Sequence, residues 1–355
     1  RRARRKDYTV GYPGYTKAII MGGAEWGALS LLLLAAAPVA SVREYPTNYL
    51  SPEANRSKCS GSLVVIRTMD PGEFRLQRFQ KLKDDLGPDA TLIFSVDISS
   101  QNTTSMEVSE ANRGIQELNR RFRDSVYFFN DKEMISKFKG LEDMPAFEDM
   151  GKSLAWAYHF EGFSVLLDHY KQRTGKTYDE YCGIWFVEDD LGFSGDWKEI
   201  MDVNMPEDDW KKADFYSINS LRQINKTGLE TVRFYNQARN EAFINKFDDE
   251  SLWADDSYLM YFSRDFFAKC EENAMEGRHA WSEMFVATVA HNDKLRDEYG
   301  NERDFLVKQI NGGFKDTEGY FAFPQRFKHT QEEIQQHYEE YLVAGKSRLM
   351  HPMKN

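Results

Sequence analysis

The sequence predicts an α/β fold: a mixed, mainly parallel sheet flanked by helices, behind an N-terminal membrane anchor. Short β-branched and aromatic runs of strand length alternate with segments whose apolar residues recur at helical spacing. Hydrophobic residues make up 41% of the 355, enough for a large core. One apolar stretch, Ala18 to Val42, has the length of a bilayer span.

The N-terminus comes first. Arg1-Arg2-Ala3-Arg4-Arg5-Lys6 precedes the apolar stretch and few bases follow it. That asymmetry predicts a cytoplasmic tail (1–17), a transmembrane signal anchor (18–42) and a luminal remainder, the topology of a single-pass type II protein of the Golgi or endoplasmic reticulum. A cleaved signal peptide ending near Val39-Ala40-Ser41 and a buried core helix are the alternatives; Gly22, Gly23 and Gly27 make the latter a poor soluble helix. Pro, Asn, Ser and Lys then mark a stem (43–62) ahead of one folded domain (63–355). Sequons at Asn55, Asn102 and Asn225 agree with a secretory address for a glycoprotein. Three cysteines are too few for a disulfide scaffold; in a luminal protein Cys182 could pair with Cys270, leaving Cys59 free or intermolecular. With 57 acids against 46 bases, a formal charge of -11 argues against a nucleic-acid partner.

In the folded part, "SLVVIRT" (62–68) is a buried-type strand, followed by a helix on which Phe79, Leu82 and Leu86 share a face, and by a second strand in "ATLIFSVDIS" (90–99). Strand, helix and strand in that order imply a right-handed crossover between parallel strands. A helix over 110–122, with Ser109 as its cap, leads to a third strand in "SVYFFN" (125–130). One long helix from Lys152 to Gly175 carries Trp156, Phe160 and Phe163 toward the core and feeds the strand "YCGIWFVE". The second half offers a strand in "ADFYSIN", a strand running into a helix closed by Gly277, a helix in "HAWSEMFVATVAHNDKL", and an amphipathic tail helix capped by Thr330. Gly312-Gly313 reads as a turn rather than a phosphate cradle.

The strand "YCGIWFVE" ends in Glu188-Asp189-Asp190. Adjacent acids repel and raise one another's pKa unless a cation relieves them. Hard divalent ions take one or two carboxylates plus substrate phosphates, and in an open α/β sheet ligands bind at the carboxyl ends of the strands. Alternation along an extended strand puts Glu188 and Asp190 on one face and Asp189 on the other. The plainer reading is a solvated acidic turn capping a helix that starts near Gly195.

"FVEDDLGFSGDW" resembles the acidic, DXD-like motif of GT-A fold glycosyltransferases, in particular the alpha-1,3-mannosyl-glycoprotein N-acetylglucosaminyltransferase I family, and "SLVVIRTMD" with "ATLIFSVDIS" is similar to that family's first two strands. The resemblance implies a GT-A-like, Rossmann-like domain that uses Mn2+ (or Mg2+) and a nucleotide-sugar donor, with a UDP-sugar expected. It makes Asp190 the metal-binding aspartate. Glu188 and Asp189 become acids touching the sugar-nucleotide, Asp97 the uridine-side residue and Arg67 a donor contact. Glu283, in "GRHAWSEMFV", falls at the base position, with Ser282 replacing one of the family's paired acids. Many GT-A enzymes close the metal site with a histidine near the C-terminus and bring a lysine to the diphosphate; His351 as a second metal ligand and Lys354 in "RLMHPMKN" match that pattern.

Transfer of a sugar to a glycan or glycoprotein hydroxyl puts negative charge on the departing diphosphate, which a divalent ion would neutralise. Inverting transfer also needs a carboxylate to take the acceptor's proton. Glu283 is the first candidate, with Asp255 and Asp256 beside Trp253 and Tyr258 next; a retaining enzyme would need no such base. His159 and His169 lack the four-residue spacing of a zinc pair, and His159 reads as core or surface. The competing functions are nucleotidyl transfer at the same site and a catalytically silent relative that binds glycans or acts as a scaffold.

Overall fold

The computed structural model describes residues 61–99, 112–144, 153–201, 213–217, 221–224, 252–255, 258–296, 300–309, 330–351 and 353. All lie in the compact unit Ser51–Asn355. The predicted tail and anchor, the stem up to residue 60, the three sequons, Cys59, Ser109, Gly312-Gly313, Asp256 and Lys354 lie outside the described residues; Ser62, expected as the end of the stem, is buried at the start of the first strand. Among the described residues no helix is long and apolar enough to cross a membrane.

Strand β1 (Ser62–Thr68), helix α1 (Glu73–Leu86) and strand β2 (Ala90–Asp97) form the expected parallel crossover, with Val64 paired to Leu92 and Ile66 to Phe94. Helix α2 (Arg113–Phe122) starts later than the sequence suggests, because the Asn112 side chain accepts from the Ile115 amide and caps it there. Strand β3 (Val126–Phe129) then pairs parallel to β2. Helix α3 (Asp131–Lys137) opens with a capping box formed by Asn130 and Glu133.

The long helix expected next is two helices. Helix α4 (Leu154–Ala157) stops at Tyr158, whose φ of -118° and ψ of 67° leave the helical region, and α5 (His159–Thr174) begins at once. The break leaves a carbonyl and an amide without helical partners. Ser282 meets both: its hydroxyl donates to the Ala157 carbonyl at 2.7 Å and accepts from the His159 amide at 2.7 Å. Gly175, at φ 75°, closes α5.

Strand β4 (Ile184–Glu188) lies at the centre of a seven-stranded sheet of order β12-β6-β9-β4-β1-β2-β3. Its neighbours are β1 on one side and β9 (Leu259–Phe262) on the other. Strand β6 (Phe215–Ser217) follows β9, and β12 (Val307–Gln309), which sequence pattern did not signal, completes the edge. Only β9 runs against the rest of this sheet; outside it β7 (Arg222–Ile224) pairs antiparallel to β8 (Leu252–Ala254), and β10 (Lys294–Arg296) to β11 (Glu302–Asp304). Side chains alternate between two cores. Leu63, Val65, Phe186 and Phe262 pack with α5, α7 (Arg264–Met275) and α8 (Ser282–Asn292), and Val64, Ile66, Phe94 and Val187 pack with α1 and α2. Phe163, expected in the core, stacks on Phe186 at 3.8 Å, and Phe160 is buried with it, while Trp156 is partly buried against the same core.

Cys182 is disulfide-bonded to a partner outside the described residues, whereas Cys270 is free and fully buried. The expected Cys182–Cys270 pairing is therefore wrong. Cys270 lies in α7 among aromatic side chains, where burial pushes its thiol well above its ordinary pKa and keeps it protonated.

Beyond β4 the chain folds a short strand β5 (Gly192–Phe193) and, in place of a helix near Gly195, one turn α6 (Lys198–Met201). The tail helix α9 (Gln331–Val343) has the Thr330 cap, in a capping box with Glu333, and leads to β13 (Leu349–Met350), which pairs antiparallel to β5. This two-residue pairing brings the C-terminus to the end of β4.

Candidate active site

Each of the three acids at the end of β4 has a different surrounding. Glu188 accepts from Arg67 Nη2 at 2.9 Å, and Arg67 Nη1 holds the Ala155 carbonyl at 3.2 Å. Asp189 turns the other way, to Arg75 Nη1 at 2.5 Å and Thr68 Oγ1 at 2.7 Å. Its burial raises its carboxyl pKa above the ordinary range by more than the Arg75 charge lowers it. Asp190 meets His351 Nε2 at 3.1 Å, and the same nitrogen is 3.4 Å from Glu188 Oε2. Strand alternation carried through the turn thus gathers Glu188 and Asp190 around one imidazole and sends Asp189 to the guanidinium of α1.

The imidazole is placed by the tail. The Ser194 and Arg348 backbones pair at 3.0 Å, the Met353 amide donates to the Asp190 carbonyl at 2.6 Å, and Arg78 Nη2 spans the Met353 carbonyl at 3.0 Å and the Asp189 carbonyl at 3.2 Å. Burial lowers the Arg78 guanidinium to about 10. The Tyr258 ring stacks on His351 at 4.1 Å and 20°. Gly195 lets this segment close, because a Cβ there would lie 2.7 Å from Ser347 Cβ and 2.6 Å from the Phe193 ring. We expect Gly195→Ala to cost about 1–3 kcal/mol by overpacking and to loosen His351 with it. Thermal unfolding and Mn2+ titration of the variant check both effects.

Ligand atoms of Glu188, Asp190 and His351 all lie within 4.8 Å of one another. Two carboxylate oxygens and one imidazole nitrogen form a donor set suited to a divalent ion such as Mn2+, with room for phosphate oxygens among the remaining ligands. The electrostatics agree. Permanent guanidinium charges serve Glu188 Oε1 and Asp189, while Glu188 Oε2 and Asp190 converge on the His351 imidazole. Burial would lower its pKa, yet the hydrogen bonds and charges of Asp190 and Glu188 win and raise it to about 9. In the ion-free protein a proton on His351 occupies the electrostatic place a metal would take. Metal binding must expel that proton, so Mn2+ affinity should climb with pH from about 6.5 to about 8.5. The sign for ion-free stability is opposite: a raised histidine pKa stabilises fully below about 6.5, and that contribution fades as pH rises toward 9. The gain in Tm on adding Mn2+ should therefore grow with pH across this window, which differential scanning fluorimetry reads directly.

The remaining candidates separate. Asp97 is buried at the end of β2 and accepts from the Ser99 amide at 2.9 Å, the Ser99 hydroxyl at 2.5 Å and the Ser153 hydroxyl. Through Ser99 it is linked to Asp131, whose pKa burial raises and whose carboxylate holds the Leu154 amide at 3.1 Å. As placed, Asp97 ties the loops at the ends of β2 and β3 to the start of α4 and does not join the trio. Asp255 is 2% exposed and accepts from the Ser217 hydroxyl, while its amide donates to the Glu283 carbonyl at 2.7 Å. Glu283 is half-buried in the first turn of α8, beside Trp281, whose ring meets Trp156 edge-on at 5.1 Å. His169 bonds the Phe128 carbonyl at 2.9 Å and lies 3.1 Å from Glu133, as a surface tie.

His159 is the residue that sequence spacing missed. Its Nδ1 lies 3.9 Å from Glu188 Oε1, its Nε2 is 2.9 Å from the Trp156 carbonyl, and its amide is held by Ser282. Burial, followed by the Arg67 charge, pushes its pKa well below the ordinary value. The position follows from the break at Tyr158 and from a clasp formed 123 residues away, neither of which leaves a local pattern. Ser282 also carries the α8 N-terminus, so Glu283 is one residue from a clasp whose other end reaches Glu188.

No protein-family model matches the chain, and no curated protein matches it. Among solved structures the chain is similar to the apo form of mouse xyloside xylosyltransferase 1, at 10% identity and a TM-score of 0.35, over 82% of this chain and 97% of that one. A likeness that loose fixes neither family nor activity, and the functional reading rests on the site's own chemistry.

Proposed function

We propose that the protein is a metal-dependent glycosyltransferase of the GT-A type, moving a sugar from a nucleotide-sugar, with a UDP-sugar expected, to a hydroxyl of a glycan or glycoprotein in the secretory pathway. The observation that carries this reading is the Glu188–Asp190–His351 trio at the carboxyl end of the central strand of a mainly parallel sheet, where such sheets bind ligands. A Mn2+ ion held there would supply the positive charge that the leaving diphosphate needs. Asp190, His351 and Glu188 are its ligands in this reading. Arg67 fixes Glu188 so that its second oxygen stays turned toward the imidazole. Arg75 and Arg78 hold the Asp189 turn that sets Asp190 in place, and Lys354 is assigned to the diphosphate. Glu283, in the first turn of α8, accepts the acceptor hydroxyl's proton as that oxygen attacks, which makes the reaction inverting. An N-terminal anchor with the domain in the lumen completes the proposal.

The test is release of nucleoside diphosphate from a panel of UDP- and GDP-sugars, with Mn2+ and with chelator, alongside Mn2+ and UDP binding. Metal-dependent turnover supports transfer. Metal-dependent donor binding without turnover supports a silent glycan-binding relative instead. Absence of both removes the donor site.

A further inference from the structure

We propose that His159 contacts the transferred sugar, its Nδ1 accepting a hydrogen bond from a hydroxyl of the donor's sugar ring next to Glu188, and so sets which sugars the site takes. The inference rests on the nucleotide-sugar reading above and adds to it a residue from outside the metal trio. Nε2 lies 2.9 Å from the Trp156 carbonyl, which can only accept, so the ring proton is on Nε2 and Nδ1 presents a lone pair. That lone pair faces Glu188 Oε1 across 3.9 Å. Two acceptors at this separation do not bond each other; a hydroxyl lodged beside them has one proton and gives it to Nδ1, because Glu188 Oε1 already accepts from Arg67. A guanidinium flanks the gap, since Arg67 Nη2 holds the same Glu188 oxygen at 2.9 Å. A ring hydroxyl can donate to Nδ1 while its own oxygen faces the Arg67 charge, a combination that an ionised phosphate oxygen, with no proton to give, does not satisfy. The imidazole is 11% exposed, so a small part of the ring reaches the surface. It is also held on three sides: by the Trp156 carbonyl, by Ser282 on its amide and by the Phe163 ring, whose centroid is 6.4 Å away. A polar group fixed this firmly beside Glu188 and Arg67 is placed to select one hydroxyl pattern over another.

The test compares Mn2+, UDP and a set of nucleotide-sugars (UDP-glucose, UDP-galactose, UDP-xylose, UDP-N-acetylglucosamine and GDP-mannose) by isothermal titration against wild type, His159→Phe and His159→Asn. We expect His159→Phe to weaken the preferred nucleotide-sugar at least tenfold and to flatten the ranking among the sugars, while Mn2+ and UDP affinities stay within about twofold. Asn keeps a polar atom near the Nδ1 position and should recover part of the loss. Parallel losses for UDP and nucleotide-sugar, or no change in either, overturn the sugar contact and leave the donor site standing. If wild type binds Mn2+ and UDP but does not distinguish the sugars, the inference alone fails. If wild type binds none of the probes, the nucleotide-sugar reading fails and the inference falls with it. Melting curves of both variants identify a folding defect, and His159→Asn then carries the test.

Discussion

Asp190→Ala is expected to lower Mn2+ affinity by at least about 100-fold and to abolish metal-dependent binding of UDP, as read by isothermal titration or by the Mn2+ EPR signal. The size follows from the donor set. Of the three ligand atoms gathered within 4.8 Å, the substitution removes one outright. It also takes from His351 the carboxylate 3.1 Å away that positions its ring. Losing an outer-shell partner alone costs about 10–100-fold, so losing a ligand and an orienting group together should exceed that range. The competing account treats the acids as a structural ion-pair network. Arg67, Arg75 and His351 do balance Glu188, Asp189 and Asp190 in charge, as largely buried pairs whose mutual attraction offsets the cost of desolvating them. That account predicts a clear loss of stability in the variant, whose His351 loses a carboxylate partner, and no response of wild-type Tm to Mn2+. Unchanged Mn2+ affinity in Asp190→Ala, or a wild type indifferent to the ion, would sink the metal site.

How much of this could be read from the chain depends on the range of the interactions involved. Strand and helix alternation was legible because periods of 2 and 3.6 are local, and β1, α1, β2 and β4 follow them. The split of Glu188 and Asp190 from Asp189 was legible for the same reason. The break at Tyr158 was not, because the groups it exposes are met by a hydroxyl far along the sequence. Ser282, which in the resemblance is only a missing acid, is a clasp in the structure. Asp97, which the resemblance places beside the uridine, gives its oxygens to Ser99 and to Ser153, and the second of these ties spans 56 residues and leaves no local pattern. Strand β12 and the reversed β9 were hidden for another reason, since a strand of three or four residues carries too few alternations to declare its direction or partner. The position of His351 depends on a two-residue pairing between β5 and β13, and no spacing between residues 190 and 351 encodes it.

Glu283→Gln is expected to leave Mn2+ and donor binding within about twofold of wild type while lowering kcat by roughly 10²–10⁴, the usual contribution of a general base. Three placements favour Glu283 over Asp255. Glu283 is half-buried, within reach of an incoming hydroxyl, whereas Asp255 is 2% exposed with its carboxylate on Ser217. It occupies the first turn of α8, where the helix dipole places positive potential beside the carboxylate. Trp281, itself buried, braces the partly buried Trp156 edge-on beside that turn, and Trp156 is the ring left to meet a pyranose. Asp255→Asn should instead register first as lost stability, because it weakens a buried contact between β6 and the segment after β8 (Leu252–Ala254). The two variants therefore separate on opposite axes. If Glu283→Gln retains full turnover, the proton goes elsewhere, and the choice is then between Asp255, Asp256 and a retaining reaction that needs no base; the anomeric configuration of the product, read by NMR, decides between the last and the other two.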